Sequence, residues 1–260
     1  MNIHLIATDI DDTLMASGHV LPPQNIEALR AAHARGIRIV LATIRKRDST
    51  EIVGDALGLP YAMICQGGAT IYDTDGSCLH EAVIELEVAR TVAAFADAHG
   101  IAMVTTIAEY NHFVGDTPKI LMLANEGKRA ASNTAALYAP PTRILIHGAQ
   151  AAQRIIDTFS ALPLRFSRHY SAGVLQDVVI TAPSASKQHA LTMLCEHWGI
   201  ALSNVLALGD SESDIGMLQI AGWGVAVGNA RPEVQASADW VAPSCAEAGL
   251  AIAVYKMLAG

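Results

Sequence analysis

The chain has 260 residues, of which 52% are hydrophobic and 16% are charged, and 17 Lys and Arg against 25 Asp and Glu give a formal net charge of −8. This composition excludes a disordered chain and supplies cores for one large domain or two smaller ones. The negative charge disfavours nucleic acid and membrane surfaces as partners, and no apolar run reaches the roughly 18 residues of a membrane span. We therefore expect a cytoplasmic protein.

Strands and helices alternate regularly in the first part of the chain. The apolar patterns predict strands at 4–8, 37–41 and 62–65, with helices at 23–34 and through 52–57 between them. A hairpin follows, with strand segments on either side of the Asp75-Gly76 turn. Strand, helix, strand, helix, strand is the order expected of a parallel sheet with right-handed crossovers.

The regular alternation of strands and helices stops near residue 82 and resumes near residue 182. Between them the patterns predict a helix around 88–95, strands at 101–107 and 143–147, a loop-rich segment ending at Pro140-Pro141, a helix around 155–159, and strands near 164–166 and 177–181. From Ser186 onward come a helix, strands at 205–208 and 224–227 with a helix between them, and a closing helix. We predict an α/β fold: a doubly wound, mainly parallel sheet formed by residues 1–81 and 183–260, with an inserted α+β domain at 82–182.

Acidic and hydroxyl side chains follow three of these strands directly. Asp9 and Asp11 follow the first strand, Thr43 follows the second, and Asp210 and Asp214 follow the strand at 205–208. Because ligands of open α/β sheets bind at the carboxyl ends of the strands, we expect these groups to converge. So many carboxylates in one crevice repel one another unless a divalent cation lies among them, and an all-oxygen ligand set is typical of Mg²⁺.

The same residues supply what phosphoryl transfer from a monoester needs. Asp9 is the candidate nucleophile, and Asp11, two residues on, is the candidate acid and base. Thr43 offers a hydroxyl to phosphate oxygens, and Lys187 offers a positive charge at the start of the helix after the insert. Taken singly, Thr43 is equally typical of a helix cap and Lys187 of a surface cation.

Five motifs together resemble the haloacid dehalogenase-like hydrolases, in their Cof-type, sugar-phosphatase-like branch. The motifs are Asp-x-Asp-x-Thr at 9–13, Ala-Thr-x-Arg at 42–45, Ser-Lys-x-x-Ala-Leu at 186–191, Gly-Asp-x-x-x-Asp at 209–214 and Gly-Val-Ala-Val-Gly-Asn-Ala at 224–230. Their order and the position of the insert match the family across the whole core. The resemblance implies a haloacid dehalogenase-like catalytic core and a cap domain at 82–182 that closes over the substrate.

The resemblance also implies a function and a role for each matching residue. It implies a Mg²⁺-dependent phosphatase that hydrolyses small phosphate monoesters, such as phosphorylated sugars or similar metabolites, through an aspartyl-phosphate. The implied roles are Asp9 and Asp11 as catalytic residues, Thr43 and Lys187 as phosphate ligands, and Asp9, Asp11 (through its backbone carbonyl), Asp210 and Asp214 at the metal. Ile44 and Arg45, next to Thr43, are candidate substrate contacts; Ile44 either narrows the leaving-group pocket or simply packs beside Thr43.

Four positions depart from the family pattern. Relatives often carry Gly where Asp12 and Ile44 stand, and Asn where Gly67 and Ser213 stand. These departures keep open an alternative, a catalytically weak relative that binds phosphorylated metabolites or a protein partner. A signalling receiver domain is disfavoured by the second acidic motif and the large insert, and a dinucleotide-binding protein by the missing Gly-x-Gly-x-x-Gly.

Two further sets of residues carry predictions of their own. The turn at 109–112 is a candidate for leaving-group contacts, or a plain solvent-exposed turn. The four cysteines (Cys65, Cys78, Cys195 and Cys245) lie far apart and form no CxxC pair, so we expect free thiols that are mostly buried.

Overall fold

The structure, a computed structural model, describes residues 2–16, 18, 20–124, 127–171 and 173–260. Its strands are β1 Leu5–Thr8, β2 Arg38–Ala42, β3 Ala62–Cys65, β4 Thr70–Tyr72, β5 Cys78–Glu81, β6 Met103–Ile107, β7 Tyr110–Phe113, β8 Lys128–Arg129, β9 Arg143–His147, β10 Arg165–Ser171, β11 Val174–Thr181, β12 Val205–Gly209, β13 Trp223–Ala226 and β14 Trp240–Val241. Its helices are α1 Pro23–His33, α2 Arg47–Leu57, α3 Leu86–Ala98, α4 Pro118–Ala124, α5 Ala149–Phe159, α6 Lys187–Trp198, α7 Ile215–Ile220, α8 Pro232–Ser237 and α9 Gly249–Ala259.

The chain divides into two compact units. The first unit combines Met1–His80 with Ser186–Gly260, and the second unit is Glu81–Ala185. An eight-stranded sheet has the order β14-β13-β12-β1-β2-β3-β4-β5, and all neighbours from β14 to β3 pair in parallel. This parallel sheet with helices on both faces confirms the predicted α/β, doubly wound fold class. The role of residues 82–182 as a cap stays a prediction.

Alternate residues of the central strands build the two halves of the core. Ile6, Ile39 and Leu206 point to one face, where they pack with Leu29 of α1 and Val254 of α9. Leu5, Val40 and Val205 point to the other face and pack with Leu191 and Leu194 of α6. Because both faces are covered, these strands are apolar throughout, as parallel strands usually are. The result is a rigid sheet that fixes where each strand ends.

The second unit has a six-stranded sheet in the order β10-β11-β9-β6-β7-β8, with antiparallel pairing except between β7 and β8. Helices α3 and α5 pack on one face through residues such as Val92 and Ile155. Helix α4 packs on the other face, where Ile120 joins Val104 and Leu145.

Two local predictions for the second unit are corrected. The segment predicted to be loop-rich contains β7, α4 and β8. The interpretation of 109–112 as an exposed turn is wrong for its second half, because Asn111 and His112 are buried in β7. The Asn111 side chain accepts a hydrogen bond from Thr106 Oγ1 (2.8 Å) and donates one to the carbonyl of Ala124 (2.7 Å), which fixes α4 against the hairpin.

The cysteines and membrane prediction have clear outcomes. All four cysteines are free, as predicted, but Cys78 is exposed because it lies in β5 at the edge of the large sheet. Among the residues that the structure describes, no helix has the length and apolar character needed to cross a membrane.

Candidate active site

A buried lysine joins two carboxylates from different parts of the chain. Lys187 Nζ donates to Asp9 Oδ1 and to Asp214 Oδ1, each at 2.6 Å. The exposed fraction of the side chain is 1% for Lys187, 9% for Asp9 and 0% for Asp214. Asp9 stands at the end of β1 and Asp214 beyond the end of β12, its neighbour in the sheet. The carboxyl ends of adjacent parallel strands therefore deliver the two acids to one ammonium group, as the strand pattern predicts.

A third carboxylate completes an acidic cluster. Oxygens of Asp9, Asp210 and Asp214 lie within 4.8 Å of one another. Thr13 Oγ1 donates to Asp210 Oδ1 at 2.9 Å, which ties the loop after β1 to the loop after β12. Three carboxylates at this spacing form an oxygen-only ligand set of the kind that Mg²⁺ prefers.

One oxygen of the Asp214 carboxylate holds the loop that carries Asp210, while the other accepts from Lys187. Asp214 Oδ2 accepts from the backbone N–H of Asp210 (3.2 Å), from that of Ser211 (2.9 Å) and from Ser211 Oγ (2.8 Å). Ser213 Oγ lies 2.9 Å from Ser211 Oγ, so it supports the same network. A Cβ on Gly209 would lie 2.4 Å from that of Asp214, so only glycine leaves room for Asp214 there.

Lys187 is placed by the start of α6. Ser186 is the N-cap residue, and its hydroxyl accepts from the backbone N–H of His189 at 3.0 Å. The loop after β3 packs against this cap so closely that a Cβ on Gly68 would lie 2.3 Å from the carbonyl carbon of Ser186. Gly68 has φ +101°, a conformation that also favours glycine. Two backbone segments thus fix where the lysine enters the site.

Thr43 and Arg45 lie in the loop after β2. Thr43 is buried, and its Oγ1 accepts from the backbone N–H of Arg45 at 3.1 Å. The Arg45 guanidinium donates to both oxygens of Asp11, from Nε to Oδ2 (2.8 Å) and from Nη2 to Oδ1 (2.5 Å). The Asp11 carboxylate is therefore held by Arg45 and does not belong to the acidic cluster of Asp9, Asp210 and Asp214.

Burial and mutual repulsion perturb the charges of the cluster. Burial raises the pKa of Asp9 well above its usual value, Lys187 opposes this, and Asp214 and Asp210 add to it. Burial and the charge of Asp214 raise the pKa of Asp210 to about 7. Burial would lower the pKa of Lys187, but Asp214 and Asp9 raise it above its usual value, so the ammonium stays charged. One ammonium does not neutralise three carboxylates, and the cluster is suited to a further cation.

Backbone conformation accounts for two of the departures from the family pattern. Asp12 has φ 58° and Gly67 has φ 69°, both in the left-handed region. Glycine is the least strained residue there and Asn is the best tolerated of the others, which matches the residues that relatives often carry at these positions. Asp12 is exposed, and its carbonyl accepts from Asn229 Nδ2 at 2.7 Å. Ile44 is half-buried beside Thr43.

Some residues that shape the site escape prediction from the sequence. Thr13 and Ser211 are not among the predicted site residues, although Thr13 closes the first motif and Ser211 lies inside the fourth; Ser213 is singled out only as a departure from the family pattern. The position of Thr13 in Asp-x-Asp-x-Thr was the available signal. For Ser211, the capping-box spacing to Asp214 was available, since each side chain binds the other's backbone.

The chain belongs to the haloacid dehalogenase-like hydrolases, because a family model of that description matches residues 6–254. This confirms the family indicated by the motifs. It also agrees with the geometry, in which buried Lys187 contacts Asp9 and Asp214, and Asp210 lies beside these two carboxylates.

Individual relatives are similar over nearly their whole length. Phosphatase YwpJ of Bacillus subtilis (strain 168) is 28% identical over 290 residues, covering 98% of this chain and 99% of that protein. Pyridoxal phosphate phosphatase YbhA of Escherichia coli (strain K12) is 28% identical over 276 residues, covering 99% of this chain and all of that protein (100%). The predicted enzyme class, a phosphoric monoester hydrolase, is confirmed.

Solved structures share the fold. BT1666 from Bacteroides thetaiotaomicron, a phosphatase of the haloalkanoate (HAD) enzyme superfamily, aligns with a TM-score of 0.81 and 26% identity, over 98% of this chain and 94% of that one. The HAD subclass IIB sugar phosphatase BT4131 aligns with a TM-score of 0.84 and 24% identity, over 97% of this chain and 98% of that one.

Proposed function

We propose that the chain is a Mg²⁺-dependent phosphatase that hydrolyses small phosphate monoesters through an aspartyl-phosphate formed on Asp9. The observation that carries this proposal is the buried contact of Lys187 with Asp9 and Asp214, next to Asp210, at the ends of adjacent parallel strands. A carboxylate nucleophile, a fixed positive charge and an oxygen-lined cation site are what in-line phosphoryl transfer requires.

The oxygen ligands support magnesium as the cofactor. Asp9, Asp210 and the backbone carbonyl of Asp11 would hold the ion, and Asp214 would fix the loop that presents Asp210. The residues fit this cation because the cluster is buried, contains only oxygen ligands, and raises the pKa of Asp9 and Asp210 through burial and mutual repulsion. When bound, Mg²⁺ shields the repulsion between a carboxylate nucleophile and a phosphate dianion.

The chain's own residues then have distinct tasks. An oxygen of Asp9 attacks phosphorus while the bond to the leaving oxygen breaks, and Asp11 gives that oxygen a proton. Asp11 next takes a proton from the water that attacks the phosphorus of the aspartyl-phosphate, which releases phosphate and regenerates Asp9. Lys187 and the Thr43 hydroxyl stabilise the charge on the phosphoryl oxygens.

Small metabolites are the proposed substrates. Relatives are named for pyridoxal phosphate and phosphoglycolate, and BT4131 is named a sugar phosphatase. We propose residues 82–182 as a cap that encloses substrates of this size, which would exclude bulk water from the phosphoryl group. Phosphoproteins and polynucleotides would be refused on size. Substrate contacts from Ile44 and Arg45 remain part of this proposal.

Turnover of a panel of phosphorylated metabolites, measured by phosphate release with Mg²⁺ and with chelator, tests the proposal. We expect hydrolysis of at least one small monoester, loss of activity in chelator, and a lower kcat/KM for a phosphopeptide. A folded wild-type protein that hydrolyses neither the panel nor an aryl phosphate would instead support the weak, ligand-binding relative.

A further inference from the structure

The Arg45 side chain holds the proposed acid, Asp11, in a defined orientation. The Arg45 guanidinium makes two hydrogen bonds to it, one to each carboxylate oxygen: Nε to Oδ2 at 2.8 Å and Nη2 to Oδ1 at 2.5 Å. Such fork-to-fork pairing fixes the plane of a carboxylate as well as its position, which a single point charge does not do.

The contact with Arg45 matters because the Asp11 side chain is partly accessible to water. The exposed fraction of its side chain is 38%, against 19% for Arg45. A carboxylate so exposed has several staggered rotamers open to it in water. Asp9, by contrast, is almost fully buried and needs no such restraint. The pair with Arg45 selects one orientation of Asp11.

Arg45 is itself anchored through its backbone on both sides. Its N–H donates to Thr43 Oγ1 at 3.1 Å, and its carbonyl accepts from the N–H of Gln66 at 2.8 Å. Gln66 is buried and has φ 53°, in the loop after β3, whose next residue, Gly67, donates its N–H to the Thr43 carbonyl at 2.9 Å. The guanidinium therefore extends from a doubly held segment at the end of the central sheet.

We propose that Arg45 is a positioning residue that orients Asp11 for proton transfer to the leaving group. The inference rests on the proposed function and deepens it. In the transfer step, the P–O bond to the leaving group breaks and its electron pair stays on the leaving oxygen, which takes the proton from one oxygen of Asp11. Asp11 enters this step with a proton on one oxygen, which it takes from the attacking water in the preceding turnover. Arg45 then donates to the other oxygen, and once the proton has left it donates to both, as in the bidentate pair of the structure.

This role predicts a dependence on the leaving group that substrate binding does not. An ester of a weakly acidic alcohol, such as glucose 6-phosphate, needs the proton as the bond breaks. An ester of a strongly acidic phenol, such as 2,4-dinitrophenyl phosphate, does not need the proton, because the phenolate leaves as a stable anion. Loss of Asp11 orientation therefore affects the first substrate far more than the second. Loss of a direct phosphate contact would affect both alike, since they share the phosphoryl group.

The test measures kcat and KM of wild type, Arg45→Gln, Arg45→Lys and Asp11→Asn on both esters and on phenyl phosphate. We expect Arg45→Gln to lower kcat on the sugar phosphate by roughly 100-fold and on the dinitrophenyl ester by a few-fold at most. Arg45→Lys, which keeps the charge without the fork, should show the same ranking of substrates with a smaller loss. Arg90→Gln is the matched control, because Arg90 pairs with Glu87 on α3 and carries the same charge.

A second arm combines the variants. If Arg45 acts through Asp11, adding Arg45→Gln to Asp11→Asn should change the residual rate by no more than about twofold. Losses of equal size on all three esters, a change confined to KM, or additive losses in the double variant would overturn the inference while leaving the proposed phosphatase intact. Wild-type protein without turnover on any ester would overturn the proposed function itself.

Discussion

Removing the charge of Lys187 should destabilise the first unit strongly. Methionine has about the same length as lysine but no charge. In Lys187→Met, Asp9 and Asp214 therefore stay buried beside Asp210 but lose the ammonium group that contacts each of them at 2.6 Å in wild type. Removing one partner of a buried ion pair costs about 3–5 kcal/mol, since it leaves an uncompensated buried charge. We expect a loss of that size in the free energy of unfolding in chelator at pH 8, where the carboxylates are most fully ionised.

Tryptophan fluorescence in urea is the direct assay. Trp198, Trp223 and Trp240 all belong to the first unit, so their emission reports the unfolding of that unit alone. At a slope of about 3 kcal/mol per molar urea, the expected midpoint falls by roughly 1 to 1.7 M. Lys256→Met, which removes an exposed lysine of the same unit together with its contact to the Trp240 ring, should stay within about 1 kcal/mol of wild type.

A second substitution checks the cause of that loss. Adding Asp9→Asn to Lys187→Met removes one uncompensated carboxylate, so the double variant should be more stable than Lys187→Met alone. If Lys187→Met were as stable as wild type in chelator, the lysine would not be compensating the acidic cluster, and the electrostatic reasoning would be refuted.

Three more outcomes follow from the same geometry. Burial and the charge of Asp214 raise the pKa of Asp210 to about 7, so the folded protein keeps a proton that the unfolded chain releases near pH 4. Metal-free wild type should therefore lose stability relative to Asp210→Asn as the pH rises from about 4 to about 7. A constant difference between their urea midpoints across that pH range would contradict this. Mg²⁺ at 100 times its dissociation constant should stabilise wild type against thermal unfolding by about 2.7 kcal/mol. The stability of a double variant, Asp9→Asn with Asp210→Asn, should not change. If Mg²⁺ raised the melting temperature of both proteins equally, the ion would bind elsewhere. Asp12→Gly should relieve the strain of the left-handed backbone at φ 58° and stabilise the protein by about 1 kcal/mol. Asp12→Ala removes the charge but keeps the strain, so it should not stabilise the protein. If both substitutions raised the melting temperature equally, the charge of Asp12 would be the cause.

The sequence was sufficient for the sheet and for the residues at its strand ends. Continuous apolar segments such as 62–65 bury all their side chains only where both faces of the strand are covered. Their alternation with helices predicts a parallel sheet. The convergence of Asp9, Asp210 and Asp214 follows from that topology. Where a polar residue stands directly after such a strand, its place in the site is determined by the backbone.

Contacts made through side chains were not predictable in the same way. The pairing of Arg45 with Asp11 and the bond from Thr13 to Asp210 depend on rotamers and on loops that meet only in the folded chain. The short elements β8, α8 and β14 carry too few residues to show a period, so tertiary packing decides their conformation. The burial of Asn111 likewise depends on the later helix α4, whose Ala124 carbonyl accepts its hydrogen bond.

Chemical trapping of the covalent intermediate tests the central claim most directly. Borohydride added during steady-state turnover of a small phosphate monoester reduces an acyl phosphate to an alcohol, which would convert Asp9 to homoserine in the peptide that contains it. We predict homoserine at Asp9 in wild type with substrate and Mg²⁺, and none without substrate or in Asp9→Asn, which should be folded and inactive. Homoserine at Asp11 or Asp210, or an Asp9→Asn variant that retains a tenth or more of wild-type turnover, would contradict Asp9 as the nucleophile.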